Sequence, residues 1–270
     1  MESPRPLRVL ILGHSDTFGI QLPDRAAAWP QIVLRELPAL VGRPVELHQR
    51  PLVPIRPDKG SRAESILQGF PADIVVFATN PYGFAVETVA NRLRQRFGGS
   101  FGARYLKLER KLDAWTRNGR AGRAINHGTR RVARRVIGTA PDSSYQDVLD
   151  AHLEVLRLLA RDEQLQVMIQ GGNKLSSWLQ KEDTTLTTRV ESLGRVCREF
   201  CRDHHFTWFD TEAALLPGER ERSFLPDGVH RNPEAHRHFA DTILPVLTTM
   251  AARVFDGEQG PLEAAVSHPV

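Results

Sequence analysis

The chain has 270 residues, 41% of them hydrophobic and 25% charged, with a formal net charge of +4 at pH 7. That length buries a full core, and the composition is ordinary for a soluble globular protein of one large domain, or one domain with an insertion. Its longest apolar runs, such as VLIL and DIVVFA, fall far short of the roughly 18 residues that span a bilayer. The start MESPRPLRVLIL lacks the separate basic, apolar and small-residue zones of a signal peptide, so the chain reads as cytoplasmic. Cys197 and Cys201, with His204 and His205 following, raise the question of a metal cluster. No second cysteine pair accompanies them, and they read as two half-buried thiols on a helix face rather than as ligands or a disulfide framework. No metal and no cofactor is expected.

In chain order, the first strand is expected over Arg8 to Leu12, and its exit, Gly13-His14-Ser15-Asp16, sets a lone serine on the turn just after four aliphatic residues. A helix follows over about Ala27 to Val41, a strand over Val45 to His48, a helix over Ser61 to Gly69 and a strand over Asp73 to Ala78. After a break come a helix over Ser144 to Asp162, a strand over Gln166 to Gln170, a helix over Leu186 to His204 and a strand over Phe206 to Phe209. A helix over Pro233 to Val254 closes the fold. Alternating strands and helices predict a parallel sheet with helices on both faces. The unmixed aliphatics of VLIL and DIVVF fit strands buried on both sides. In such sheets ligands gather beyond the carboxyl ends of the strands. Ser15 follows the first strand, Asn80 the third, and Asp227 and His230 follow the fifth after a loop, so all of them can meet at one rim.

The break is the block 84–142, with helical patterns near Val86 to Arg96, Ala103 to Thr116 and Ala124 to Ile137. It carries 14 Lys and Arg against Glu87, Glu109, Asp113 and Asp142, a net charge of +10 in a chain of +4, so the remainder carries −6. A plain connection between strands would be much shorter. The block therefore reads as a basic helical insertion, a lid or subdomain, with the core formed by 1–83 and 143–270. A solvated basic face, an anionic substrate, a membrane surface and nucleic acid are all open readings of its charge.

Near the carboxyl end, DGVHRN places Asp227 and His230 three residues apart. A serine hydroxyl attacks a carbonyl only when a base takes its proton and a third group fixes the base's tautomer and orientation. Ser15, His230 and Asp227 are the residue types for those three roles. A turn through Gly228 lets the carboxylate reach the imidazole Nδ1, and Asn232-Pro233-Glu234 has the form of an N-cap, a first-turn proline and an early acid, which seats His230 just before a helix.

These residues resemble the four signature blocks of the SGNH hydrolases, the GDSL esterase and lipase family. The first block, GDS with a glycine a few residues on, is similar to Gly13, His14, Ser15 and Gly19, which makes Ser15 the implied nucleophile. The second contributes one glycine after the second strand, matched by Gly60. The third, GxND, resembles Ala78, Thr79, Asn80 and Pro81, with the asparagine kept at Asn80. The fourth, DxxH, is matched in full by Asp227, Gly228, Val229 and His230. Two supporting positions depart: His14 stands where the family has aspartate, with Asp16 after the serine, and Ala78 and Pro81 replace a glycine and an aspartate. The likeness covers nearly the whole chain apart from the insertion. It implies an α/β fold, a flavodoxin-like three-layer sandwich with a five-stranded parallel sheet, plus the basic helical insertion after the third strand. It also implies an oxyanion hole from the backbone N–H groups of Ser15 and Gly60 and the side-chain amide of Asn80, donors aimed at the charge that develops in the tetrahedral intermediate. Glycine suits position 60 because the backbone there must approach the substrate closely. The other histidines, His127, His152, His204, His205, His236 and His238, lack a matching acid partner at a strand end and read as structural or surface groups.

The expected activity is hydrolysis of a small-molecule or lipid-like ester, acyl or acetyl, through an acyl-enzyme on Ser15. An acyltransferase shares that chemistry up to deacylation, and a binding protein on a hydrolase scaffold is the alternative of another class. A pure binder has no reason to keep serine, histidine, aspartate and asparagine at all four positions. Specific nucleic-acid binding is not expected, since Phe97, Phe101, Tyr105 and Trp115 read as apolar faces of short helices rather than a stacking platform. If the insertion recruits an anionic substrate or membrane surface, kcat/KM for an anionic ester should fall steeply with salt, because exposed charges are screened over about 8 Å at physiological ionic strength. A small neutral ester should hardly respond. Replacing Arg130, Arg131, Arg134 and Arg135 with Glu should mimic the salt effect, and equal salt sensitivity for both esters would leave the insertion a solvated face.

Overall fold

Strand β1, Leu7–Gly13, is buried at every position but Arg8, and β3, Ile74–Ala78, is buried throughout. Both lie inside the sheet. In this computed structural model, which describes residues 4–54, 59–85, 87–116, 129, 132–133, 135–172, 184–218, 220–225 and 230–256, five strands pair in the order β2-β1-β3-β4-β5. The others are β2, Val45–Pro51, β4, Gln166–Gly171, and β5, Thr207–Asp210. Every pairing is parallel: Val9 faces Val76's strand through Ile74, Ile74 faces Gln166, and Met168 faces Thr207. The order is that of flavodoxin-like folds.

The pleat sends alternate side chains to opposite faces. On one face Leu7, Val9 and Ile11 of β1 and Ile74 and Val76 of β3 pack into a core with Trp29, Ile32, Val33 and Leu37 of α1 (Trp29–Val41) and with Phe239, Ile243 and Leu247 of the closing helix, Pro233–Asp256. The intervening Leu10, Leu12, Val75 and Phe77 are also fully buried, and Phe77 meets the ring of His152 at 5.8 Å, so a second helical layer covers the other face. Burying a branched aliphatic side chain contributes about 1.5–3 kcal/mol. Two apolar layers therefore account for the unmixed strand sequences, and the architecture is the expected three-layer α/β sandwich with a five-stranded parallel sheet.

The remaining helices among the described residues are α2 (Lys59–Gly69), α3 (Tyr82–Ala85), α4 (Val89–Phe97), α5 (Gly99–Thr116), α6 (Tyr145–Leu159) and α7 (Thr184–Asp203), which makes Pro233–Asp256 α8. Local chemistry moves some expected ends. Asp24 Oδ1 accepts the Ala26 N–H at 2.9 Å and turns Arg25–Ala27 into a separate 3-10 turn, so α1 starts at Trp29 rather than Ala27. Thr88 Oγ1 accepts the Asn91 N–H at 3.0 Å, which starts α4 at Val89. Cys197 and Cys201 are fully rather than half-buried, and burial pushes the Cys197 thiol up to about 12. His204 and His205 are exposed.

The chain forms two compact units, Met1–Pro81 with Asp147–Val270, and Tyr82–Gln146. The first holds the sheet. Within the second, Thr88 and Ala140 form an antiparallel bridge with N–H···O bonds of 2.9 and 3.1 Å, and Arg94 pairs with Asp142 at 2.5 Å. Five of the seven large hydrophobic residues exposed among the described residues lie in this unit: Phe97, Phe101, Leu108, Val132 and Val136. The expected helix Ala124 to Ile137 falls largely outside the described residues. No described helix is long and apolar enough to cross a membrane.

Candidate active site

β1 runs out at Gly13, and the chain then closes on itself. The N–H groups of Phe18 and Ile20 both donate to the Ser15 carbonyl, at 3.2 and 3.1 Å, and the Gly19 N–H donates to the Asp16 carbonyl at 3.1 Å. Gly19 takes a φ of +58°, and a Cβ there would stand 2.9 Å from that of Ala28. Left-handed backbone and lack of room together demand glycine. The turn holds Ser15 half-buried at the carboxyl edge of the sheet.

His230 reaches the same place from the other end of the chain. Phe224 and Arg231 form an antiparallel bridge, the Leu225 N–H donates to the His230 carbonyl at 2.7 Å and the Asn232 N–H to the Ser223 carbonyl at 3.0 Å. One residue later Asn232 Oδ1 accepts the Ala235 N–H at 2.9 Å, with Pro233 and Glu234 in the first turn of α8. This is the cap expected from Asn232-Pro233-Glu234. Anchored on both sides, His230 Nε2 lies 2.9 Å from Ser15 Oγ, across 215 residues of sequence. Asp227, with Gly228 and Val229, lies outside the described residues.

Asn80 follows β3 and is 2% exposed. Its predecessor Thr79 donates through both its N–H and its hydroxyl to the Gln170 carbonyl, each at 2.9 Å. The Asn80 N–H donates to His152 Nε2 at 3.0 Å, and the other ring nitrogen, Nδ1, stands 2.7 Å from the Val148 carbonyl one turn back in α6. Since Nε2 accepts, the proton sits on Nδ1, and the ring is neutral with both nitrogens used. Burial holds His152 down to about 4, against a weaker upward pull from the bond to Val148. His152 is thus a structural group, as its lack of an acid partner suggested, and its task is to fix the backbone of Asn80. Only its place among the apolar residues of α6 hinted at this in the sequence.

Gly60 sits in the first turn of α2 and is buried. A Cβ there would stand 2.3 Å from Glu154 Oε1 of α6. A side chain at this position would displace the Glu154 carboxylate that packs against it.

Asp16, 6% exposed, accepts from the Arg231 N–H at 3.0 Å through Oδ1 and from the Arg231 guanidinium through Oδ2. His236 stands nearby, beyond hydrogen-bond distance. Its Nδ1 accepts the Trp29 N–H at 3.3 Å, which leaves the proton on Nε2, 3.8 Å from Asp16 Oδ1. Burial pushes the Asp16 carboxyl up, but Arg231, His236, His14 and the Arg231 N–H outweigh it and hold it at about 2. Asp16 and Arg231 flank the two candidate catalytic residues, an adjacency visible in the sequence and an interaction that was not.

Folding keeps His152 neutral where the unfolded chain takes up a proton. As pH falls from about 6.5, the unfolded value, to about 4, the folded one, the unfolded state binds the extra proton and stability drops. Asp16 works in a separate window: its contribution is complete above about 3.8 and is lost only as pH falls toward about 2. Unfolding free energy measured between pH 7 and 4.5 should therefore decline, and His152→Gln, which still offers an acceptor to Asn80, should lower that slope by about one proton, roughly 1.4 kcal/mol per pH unit. An unchanged slope would mean that His152 is not held neutral.

No family model matches the sequence, and no curated protein matches it. Solved structures do. TesA superposes with a TM-score of 0.54 at 13% identity, over 90% of this chain and 99% of its own. A carbohydrate acetylesterase family member from Sinorhizobium meliloti gives 0.52 at 12% identity over 91% and 99%, and an aryl esterase of M. smegmatis gives 0.53 at 12% over 90% and 99%. The chain shares the three-layer α/β fold of these esterases.

Proposed function

We propose that this protein is a serine hydrolase that cleaves a carboxylic ester through an acyl-enzyme on Ser15. The observation that carries this reading is the 2.9 Å approach of His230 Nε2 to Ser15 Oγ at the carboxyl edge of a parallel sheet, the geometry of a nucleophile and its general base. Ser15 Oγ attacks the carbonyl carbon as its proton passes to His230 Nε2. The tetrahedral intermediate collapses, the C–O bond to the alcohol breaks and His230 returns the proton to the leaving oxygen. Water then repeats the sequence on the acyl-enzyme and frees the acid. Asp227, three residues before the base, is assigned the carboxylate that orients the imidazole through Nδ1. The N–H groups of Ser15 and Gly60 and the Asn80 amide are assigned the oxyanion hole. For Asn80 the support is its buried place after β3, with a backbone held by His152. For Gly60 it is the absence of a side chain in the first turn of α2.

The similarly folded carbohydrate acetylesterase and aryl esterase suggest short acyl chains on sugar or aryl alcohols as the first substrates to try. An acyltransferase uses the same steps until an alcohol or amine replaces water. The Tyr82–Gln146 unit supplies the contact with an anionic substrate or surface in this reading. In its support, exposed Phe97, Phe101 and Leu108 share α4 and α5 with exposed Arg96, Arg104, Lys107 and Lys111.

A scan of p-nitrophenyl esters from acetate upward, with intact-mass detection of a fluorophosphonate adduct, tests the assignment. Ser15→Ala and His230→Ala should each abolish adduct formation or turnover, because nucleophile and base act as a unit. Asp227→Asn should be milder than Ser15→Ala. An adduct that forms equally well on Ser15→Ala would falsify Ser15 as nucleophile.

For Asn80, replacement by Ala should lower kcat on the order of 10²-fold or more with little change in KM, as for a donor engaged in the transition state. Unaltered kcat in that variant would return Ala78 to Pro81 to an ordinary turn.

A further inference from the structure

The two candidate catalytic residues come from opposite ends of the chain and from elements with no covalent reason to keep register. Ser15 opens the turn that follows β1, and His230 stands on the segment that leads into α8. A proton moves between them only if their separation is held to a fraction of an ångström. A hydrogen bond between a rotatable hydroxyl and a ring does not provide that by itself.

We infer that the Asp16–Arg231 pair is the positioning device for this site: it ties the residue after the nucleophile to the residue after the base and so sets the distance from Ser15 Oγ to His230 Nε2. The inference rests on the reading of Ser15 and His230 given above. Its support is geometric. Oδ1 of Asp16 accepts the backbone N–H of Arg231 at 3.0 Å, so the peptide that joins His230 to Arg231 is itself held. Oδ2 takes the guanidinium of the same residue, and the two side chains are 7% and 11% exposed. Two bonds between one carboxylate and one residue fix orientation as well as distance.

Neither partner is free to drift. The Arg231 guanidinium lies 4.6 Å from the centre of the Phe239 ring, which belongs to the core shared by α1, α8 and the sheet. On the other side His236 faces Asp16 with the nitrogen that carries the proton, because Trp29 at the start of α1 occupies the other nitrogen. The pair therefore refers both loops to one rigid body. A neutral pair would give the same topology with weaker hold, since charge-assisted bonds are about twice as strong as neutral ones. Asp16 and Arg231 act through Ser15 and His230 and are positioning residues.

Two variants remove the ion pair and spare the backbone bond. Asp16→Asn keeps an oxygen for the Arg231 N–H, and Arg231→Met keeps the N–H and an apolar stem against Phe239. Each should lower kcat for p-nitrophenyl acetate and the rate of fluorophosphonate labelling together, by about 10- to 100-fold, with KM within about twofold. Because the two groups act as one unit, the double variant should be no slower than the slower single one. Arg231→Lys, which restores a charge without the forked geometry, should recover part of the loss relative to Arg231→Met. It carries the test alone if Asp16→Asn does not fold, with thermal melting as the control. Wild-type labelling rates in folded single variants, losses that simply add in the double variant, or Arg231→Lys no better than Arg231→Met would overturn the inference. Labelling of Ser15→Ala at the wild-type rate would instead remove the catalytic reading on which it stands.

Discussion

Five strands that all run the same way can be joined only by crossovers, and crossovers lay helices over both faces of the sheet. Everything polar that the chain needs for chemistry is thereby driven off the faces. What remains open is the edge where the strands end and the chain turns back. Gly13, Ala78, Gly171 and Asp210 close their strands at that one edge. The Ser15 turn, Thr79 and Asn80 are built there, and the Thr79 bonds to Gln170 tie adjacent strands together just before the candidate oxyanion residue.

Polar groups brought to this edge are still largely withdrawn from water, and each is answered differently. His152 stays neutral, with one nitrogen accepting from Asn80 and the other facing a helix carbonyl. Asp16 stays charged because Arg231 and the N–H beside it more than offset its burial. A buried ion pair of this type adds little net stability compared with apolar residues of the same volume, but loss of one partner costs about 3–5 kcal/mol. Such a pair is a better device for specifying one arrangement than for stabilising the fold, which suits its place between the Ser15 turn and the His230 segment.

Particular residues show where the sequence was legible. The VLIL and IVVF runs marked β1 and β3 because strands buried on both faces leave no room for alternation. Asn232, Pro233 and Glu234 marked the start of α8 because a cap is local chemistry, decided within three or four residues. Gly19 could be placed in the turn as part of a block, but its left-handed φ and its crowding against Ala28 come from the folded chain. Cys197 and Cys201 were placed on a helix, yet how deeply they sink depended on what packs over α7. His152 was read as a structural or surface group, but its partner was not legible for the same reason: Asn80 lies 72 residues away.

By itself the sequence determined the order and type of the elements, the parallel sheet they build, the serine, histidine and asparagine after strands, and the concentration of net positive charge in one block. Those follow from periodicity, capping and spacing, which are properties of short stretches. The tertiary structure alone decided that His230 meets Ser15 at 2.9 Å, that Asp16 finds Arg231 and that His152 grips Asn80. Each of these joins residues tens to hundreds of positions apart. Such contacts depend on helix and strand placement to within an ångström, and no local pattern in a chain carries that information.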